Sequence, residues 1–417
     1  MDYQTVLRTL GGRQRFGYRP GLEPMQQALQ RLGNPERRTS GRVLHIAGTN
    51  GKGSVAATAA ALLGSAGLKV GLYTSPHLCR LAERFVVDGA LVEESDLGPR
   101  LQRLMDAETE LTFFEICTLA AFQLFADRGC DAWVVEVGLG GRLDATNTLA
   151  NVGCSVITSI GLDHEAILGG DLAAIAREKA GILRPGVPAF LGPLPDSARA
   201  AVEEVAAAVG APLHHVVAPV QGGVERGGGP LSVRLALQGE HQRQNANLAL
   251  AAVDTLIGPC LPDDKVGVVL GQVRWPGRAE WLRPDLLVDG AHNLDGARAL
   301  GRFLTELTPE PRVLLFGASA DKAVDDMLAL LAPLFAHVVM TQASSERALH
   351  PGLLKAKVPS AHLAHDLEAA LALSKQLAEG GLVVVAGSLF LVGEVRSRVL
   401  GLPSDPAWLS DPCAVKS

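Results

Sequence analysis

The sequence predicts an α/β protein in two parts. A P-loop ATPase domain with a mostly parallel sheet is expected over residues 1–279, and a smaller Rossmann-like α/β domain over residues 286–417. Three observations predict this. Short apolar runs alternate with longer segments of helical periodicity. One run opens into a glycine-rich turn, a lysine, a hydroxyl and an alanine-rich helix. The alternation breaks at Trp275-Pro-Gly-Arg278 and then starts again, and a chain of 417 residues has room for two such units.

Taken in order, residues 43–48 read as a buried parallel strand, and 54–66 as the helix that follows it. Residues 133–138 and 155–160 read as further strands, with helices at 115–128 and 171–183. Parallel strands joined by helices place ligands at the carboxyl ends of the strands. Residues 221–230, with Gly222, Gly223, Gly227, Gly228 and Gly229, read as a flexible surface excursion. No strong strand leads into them, as a phosphate cradle would need. Residues 245–257 return to helix. Beyond the break, strands are expected at 286–289, 313–317, 338–341 and 382–387, with helices ending near 307 and 334 and another starting at 366. That second alternation has its own apolar strands and hence its own core.

Composition narrows the classes. Hydrophobic residues at 47% and charged residues at 20% exclude a disordered or fibrous chain. Mean hydropathy of +0.20 raises the membrane question. No run approaches the roughly 20 uninterrupted apolar residues of a spanning helix, and the first ten residues lack a signal-peptide pattern. A soluble cytoplasmic protein, with no membrane partner, is expected. Net charge of −6 argues against a nucleic-acid partner. The six cysteines (Cys79, Cys117, Cys130, Cys154, Cys260, Cys413) are widely spaced, so buried free thiols are expected rather than zinc or disulfides.

The strongest local signal is Gly48-Thr49-Asn50-Gly51-Lys52-Gly53-Ser54 after the first strand. Glycines let backbone N–H groups curl around phosphate oxygens, and the helix N-terminus adds partial positive charge. Lys52 is the candidate for the β/γ oxygens and Ser54 for Mg²⁺. Ala47 stands where the strict phosphate-loop pattern has its first glycine, and Gly53 where it has its hydroxyl. No Asn-Lys-x-Asp guanine-reading sequence is present, so ATP is favoured over GTP. Lysine is scarce, nine of 38 basic residues, which makes a chance lysine in such a loop less attractive.

Glu136 ends an apolar strand, where a lone carboxylate is costly unless it meets a cation or hydrogen-bond donors. It is a Mg²⁺-ligand candidate, the alternative being a strand-end residue facing solvent. Asp163 and His164 follow the third strand and point to the same crevice. By itself such a histidine is as well read as a packed or surface residue. Lys179, near the end of a helix, reads on residue physics as a cation favoured by the helix dipole.

Gly48-Thr-Asn-Gly-Lys-Gly-Ser54, Thr74-Ser-Pro-His-Leu78, Glu136-Val-Gly-Leu-Gly-Gly141, Leu162-Asp-His164, Glu178-Lys-Ala-Gly181 and Asp289-Gly-Ala-His-Asn293 occur in one order. Together they resemble the Mur ligase superfamily, specifically folylpolyglutamate synthase and its bifunctional dihydrofolate synthase form, over about residues 40–395. The resemblance implies an ATP-dependent amide ligase. A folate carboxylate attacks the γ-phosphate of MgATP, and the amine of L-glutamate then attacks the acyl phosphate.

Further roles come from the same resemblance. Ser54 matches a ligand of a first Mg²⁺, and Ser75, Glu136 and His164 the shell of a second. Lys179 matches a lysine carbamylated in the family, reversing the bland reading. Asn245, Arg278 and Asp289 match nucleotide-contacting positions. His292 and Ser388 match positions facing glutamate, a turn residue and a helix N-cap being their alternatives. Thr112 and Phe114, in Leu111-Thr-Phe-Phe-Glu115, match the pterin side, a core Phe pair being the alternative. Asp144 and Ala145 match bifunctional members, which implies dihydropteroate as a second acceptor besides reduced folate. A monomer is expected. One departure is visible: Asp321-Lys322 is followed by Ala323 where the family usually has aspartate.

Two other readings compete. A peptidoglycan Mur ligase should carry a further N-terminal domain, and only residues 1–42 precede the first strand. A nucleotide-gated regulatory protein with a dead site would not need Lys52, Glu136, His164 and His292 together.

Overall fold

The structure, a computed structural model, describes residues 2–17, 19–216, 223–227, 229–308, 310–406 and 408–409. The first sheet holds β1 (Val43–Ala47), β2 (Val70–Tyr73), β3 (Phe85–Val87), β4 (Ala90–Leu91), β5 (Ala132–Glu136), β6 (Val152–Ile157), β7 (Ala189–Leu191) and β8 (Leu213–His215). Their spatial order is β4-β3-β2-β5-β1-β6-β7-β8. Only β3 and β4 run antiparallel to their neighbours. β1 lies near the centre with every residue buried, which explains its unbroken apolar reading.

Alternate β1 residues face opposite layers. Val43 packs with Trp133, Phe122 and Leu7, so one face is covered by the helices Phe113–Asp127 and Tyr3–Gly11. Leu44 and Ile46 pack with Leu62, Leu248 and Val253 of the helices Lys52–Ser65 and Glu240–Ile257.

The glycine-rich stretch departs from expectation. Gly223–Arg226 (β9) and Gly229–Ser232 (β10) form an antiparallel hairpin; Gly222 and Gly228 lie outside the described residues. The strands are too short for alternation to show in sequence. They are held by fully buried Val224 and by the Arg226 guanidinium, which donates to Asp254 (2.9 Å) and Asp263 (2.8 Å).

The second sheet holds β11 (Glu280–Arg283), β12 (Leu286–Val288), β13 (Arg312–Phe316), β14 (His337–Met340), β15 (His362–Leu363) and β16 (Leu382–Ala386). The order is β11-β12-β16-β13-β14-β15, parallel except for β11. β11 falls in the interval left between the two expected parts, and its pairing with β12 puts it in the second sheet. After the helix Leu389–Leu400 the chain returns to the first unit. Asp405 Oδ2 accepts from Leu81 N–H (2.6 Å), and Leu409 is buried in a cluster with Leu7 and Leu81.

Four of the five described cysteines are buried and none of the five is in a disulfide; Cys260 is exposed, against expectation, because it sits in the loop after the helix Glu240–Ile257. Cys413 lies outside the described residues. Among the described residues no helix is long and apolar enough to cross a membrane.

Candidate active site

The carboxyl ends of β1, β5 and β6 open into a cleft closed from the far side by the second unit. Gly48 leaves β1 with φ +151°, and a Cβ there would stand 1.9 Å from Thr158 Oγ1, so only glycine fits. Gly51, at φ +85°, starts the helix Lys52–Ser65 with no side chain capping it. The first-turn N–H groups are therefore left for an anion. Thr49 N–H donates to Ser159 O (2.7 Å), and Thr158 Oγ1 donates to Asn50 O (2.6 Å), pinning the loop to the segment after β6.

Two lysines converge on this loop. Lys52 Nζ donates to Gly48 O (3.1 Å) and Thr49 O (3.3 Å), 3.8 Å from Glu136 Oε1. Lys179 Nζ also donates to Gly48 O (3.0 Å) and is buried. Burial, then the charge of Lys52, lowers its pKa to about 7. No carboxylate lies within ion-pair distance of Lys179 among the described residues. Lys179 does stand in the last turn of the helix Leu172–Ala180, but its burial and lowered pKa are not accounted for by the helix dipole.

Glu136 accepts from Ser75 N–H (3.2 Å) and is 3% exposed. Burial pushes its carboxyl up to about 7, against the pull of Lys52. A buried carboxylate that stays raised in pKa even beside Lys52, in a cleft also lined by Ser54 and Ser75, suits a hard divalent cation. Among the described residues no three His, Cys, Asp or Glu side chains form a ready-made cage. The protein thus offers part of a coordination sphere, as Mg²⁺ sites shared with phosphates do. His164 sits at φ +54° after β6, and burial holds its imidazole neutral, near pKa 4.

At one end of the cleft Phe114 lies over Gly138, where a Cβ would be 2.4 Å from its ring, and 6.1 Å from the Tyr73 ring centroid. Thr112 caps the helix Phe113–Asp127 in a reciprocal box with Glu115. Asp144 and Ala145 line the same end. Burial raises the Asp144 carboxyl to about 6. At the other end the second unit contributes His292, Arg278 and Ser388. His292 Nδ1 is 2.7 Å from Gly290 O, and burial lowers its pKa to about 4. Ser388 caps the helix Leu389–Leu400, accepting from Phe390 N–H (3.2 Å).

Every residue expected from the sequence lines this cleft except two. Asn245 stands behind the loop, where a Cβ on Gly51 would be 2.5 Å from its Oδ1. Asp289 spends both oxygens on Ala279 N–H and Ala291 N–H (2.8 Å each), shaping the junction. Sequence reading missed the pairing of Lys322 with Asp163 (2.5 Å), and of Asn50 with Asn293 (3.1 Å each way). It also missed Arg347, which reaches the cleft over Phe390 while paired to Asp321. None of these contacts has a local signal.

Two family models match: the Mur ligase middle domain over residues 46–189, and the Mur ligase glutamate ligase domain over residues 277–389. The chain is 31% identical over 431 residues to the dihydrofolate synthase/folylpolyglutamate synthase of Bacillus subtilis, covering 95% of this chain and 99% of that one. It is 33% identical over 430 residues to a probable bifunctional folylpolyglutamate synthase/dihydropteroate synthase of Haloferax volcanii, and spans only 50% of that relative. Among solved structures, Escherichia coli FolC in complex with DHPP and ADP aligns with TM-score 0.88 at 30% identity, over 96% of this chain and 98% of that one. A bifunctional folylpolyglutamate synthase/dihydrofolate synthase with Mn, AMPPNP and L-glutamate bound aligns with TM-score 0.83 at 34% identity, over 92% and 95%. With the phosphate loop, buried acid and two-unit cleft in place, the chain belongs to the folylpolyglutamate synthase/dihydrofolate synthase family of the Mur ligases.

Proposed function

We propose that this chain is an ATP-dependent acid–amino-acid ligase that adds L-glutamate to reduced folates, and also to dihydropteroate, through an acyl phosphate. One observation carries the reading: a single cleft gathers Lys52, Lys179 and Glu136 at its centre, Phe114 and Ala145 at one end, and His292 and Ser388 across from them. A peptidoglycan substrate is not favoured, since the relatives that match over 95% of the chain are folate enzymes.

A carboxylate attacking a triphosphate brings like charges together, and Lys52, the first-turn amides and Arg278 are placed to offset them. Ser54 would hold one Mg²⁺ and Ser75, Glu136 and His164 a second, whose contribution when bound is to neutralise phosphate charge. Lys179, with a pKa near 7, has a large neutral fraction at neutral pH. Its amine can add to CO₂, forming an N–C bond and releasing a proton, which turns a buried cation into a carbamate. Asn245 and Asp289 contribute by shaping the nucleotide side rather than by lining it. Gly290 O only accepts, so His292 Nδ1 carries the ring proton and Nε2 keeps its lone pair. That nitrogen can accept a hydrogen bond from the incoming amine of glutamate and so orient it towards the acyl phosphate. Four buried cysteines outside any disulfide fit a reducing cytoplasm, and the reading is of a monomer.

The test is phosphate release by the purified chain. It should require ATP, Mg²⁺, L-glutamate and a reduced folate or dihydropteroate together, and Lys52→Ala should lower it by about 10²-fold or more without changing the circular dichroism spectrum. Release that ignores the folate, or survives in Lys52→Ala, would refute the reading.

A further inference from the structure

We propose that His45, on β1, is a positioning residue for the folate end of the cleft: through the Thr146 hydroxyl its Nε2–H orients Asp144, which gathers the 138–146 loop. This rests on the folate-ligase reading and adds to it a residue that touches no substrate.

Thr146 Oγ1 lies 2.5 Å from Asp144 Oδ1 and 2.9 Å from His45 Nε2. A hydroxyl has one proton, and the carboxylate only accepts. Thr146 therefore donates to Asp144, and His45 must donate to Thr146, which sets the ring as the Nε2–H tautomer. His45, Thr146 and Asp144 are 0%, 0% and 4% exposed, so no solvent competes. Burial, reinforced by the Arg184 charge, lowers the imidazole to about 3 and keeps it neutral.

The far nitrogen, Nδ1, is buried with no partner among the described residues. An unpaired buried acceptor is costly, and packing alone would be better served by an aliphatic side chain like its neighbours Leu44 and Ile46. The donor end accounts for the histidine.

The carboxylate it orients is fully used by the loop. Asp144 Oδ2 accepts from Gly138 N–H (3.1 Å) and Leu139 N–H (2.9 Å), and Oδ1 from Thr146 N–H (3.0 Å) and the hydroxyl. Four donors fill its lone pairs. Gly138 is the surface on which Phe114 rests, so loss of the relay shifts the folate wall while the phosphate loop keeps its own bonds to the segment after β6.

The test has two arms. In enzyme labelled with ¹⁵N-histidine, the resonance absent from His45→Gln should show protonated Nε2 and bare Nδ1 from about pH 7 to 8. An Nδ1–H ring or an imidazolium would overturn the relay. In steady state, His45→Leu and Thr146→Val should raise KM for the folate about five- to tenfold and leave KM for ATP within about twofold, while the donor-keeping His45→Gln stays within about twofold on both. Equal rises in both KM values, an unchanged folate KM, or His45→Gln as impaired as His45→Leu would overturn it. If His45→Leu does not fold, Thr146→Val and the tautomer still decide. Wild-type enzyme that consumes no folate would sink the functional reading instead, and the tautomer would remain testable.

Discussion

Lys322 Nζ stands 2.5 Å from Asp163 Oδ1, joining the loop after β13 to the loop after β6, with both side chains less than a tenth exposed. Asp163 Oδ2 also accepts from Asn293 Nδ2–H (3.1 Å), and Asn293 exchanges amide bonds with Asn50 of the phosphate loop. The relative placement of the two units is thus tied to the nucleotide end of the cleft.

Lys322→Met leaves the Asp163 charge buried without its lysine. A loss of about 3 kcal/mol is expected, read as a lower Tm and a larger radius of gyration by X-ray scattering. Burial pushes the Asp163 carboxyl up, but Lys322, His164 and His292 override it and hold it below the usual carboxylate range. A depressed carboxyl stabilises above its unfolded pKa and loses that contribution only as pH falls through the folded value. The wild-type radius should therefore stay constant from about pH 8 to 5. An opening transition inside that window, or an unchanged Lys322→Met, contradicts the latch.

At neutral pH Lys179 costs stability where Asp163 adds to it. Burial lowers its pKa to about 7, so between there and the ordinary lysine value the unfolded chain binds more protons than the folded one. Stability must rise with pH across that interval. In CO₂-free buffer the advantage of Lys179→Met over wild type in urea unfolding should shrink between about pH 7 and 9. A constant or growing difference contradicts a buried amine. Ligation should fall when CO₂ is removed and return with bicarbonate; indifference to bicarbonate contradicts the carbamate.

Ala323 fills the N-cap of the helix Val324–Leu331 with no side-chain hydrogen bond, and it is exposed. The aspartate usual in the family is therefore read here as a lost cap. Ala323→Asp should gain about 0.5–1 kcal/mol in thermal unfolding and leave kcat within about twofold. A several-fold change in kcat would instead put the missing carboxylate in the reaction.

Leu409 is 2% exposed among Val6, Leu7 and Leu81, although it follows the last helix of the second unit. Leu409→Ala should cost about 2–3 kcal/mol of Tm-derived stability. An unaltered Tm would mean that the returning segment does not brace the first unit.

What could be read in advance was local. The phosphate loop announces itself because strand, glycines, lysine and helix are consecutive, and Glu136 because one acid ends an apolar run. The central parallel strands β1, β5 and β6, and β12, β13, β14 and β16, followed from alternation, whereas β2, β3, β4, β7, β8, β11 and β15 did not. The contacts missed are long-range: Asp163 and Lys322 are 159 residues apart, and Asn50 and Asn293 are 243 apart. His45 looked like any residue of a buried strand, because the hydroxyl it donates to lies 101 residues away. The hairpin at Gly223–Arg226 was invisible because its glycines mimic a loop and its anchor, Arg226, pairs with a distant helix.

The most direct test of the central claim is the mass of the product made from ATP, Mg²⁺, L-glutamate and either dihydropteroate or tetrahydrofolate. One added glutamyl residue per phosphate released is expected, with both acceptors. Phosphate release without a glutamylated pterin, or glutamate-independent turnover on a UDP-linked muramoyl peptide, would contradict it.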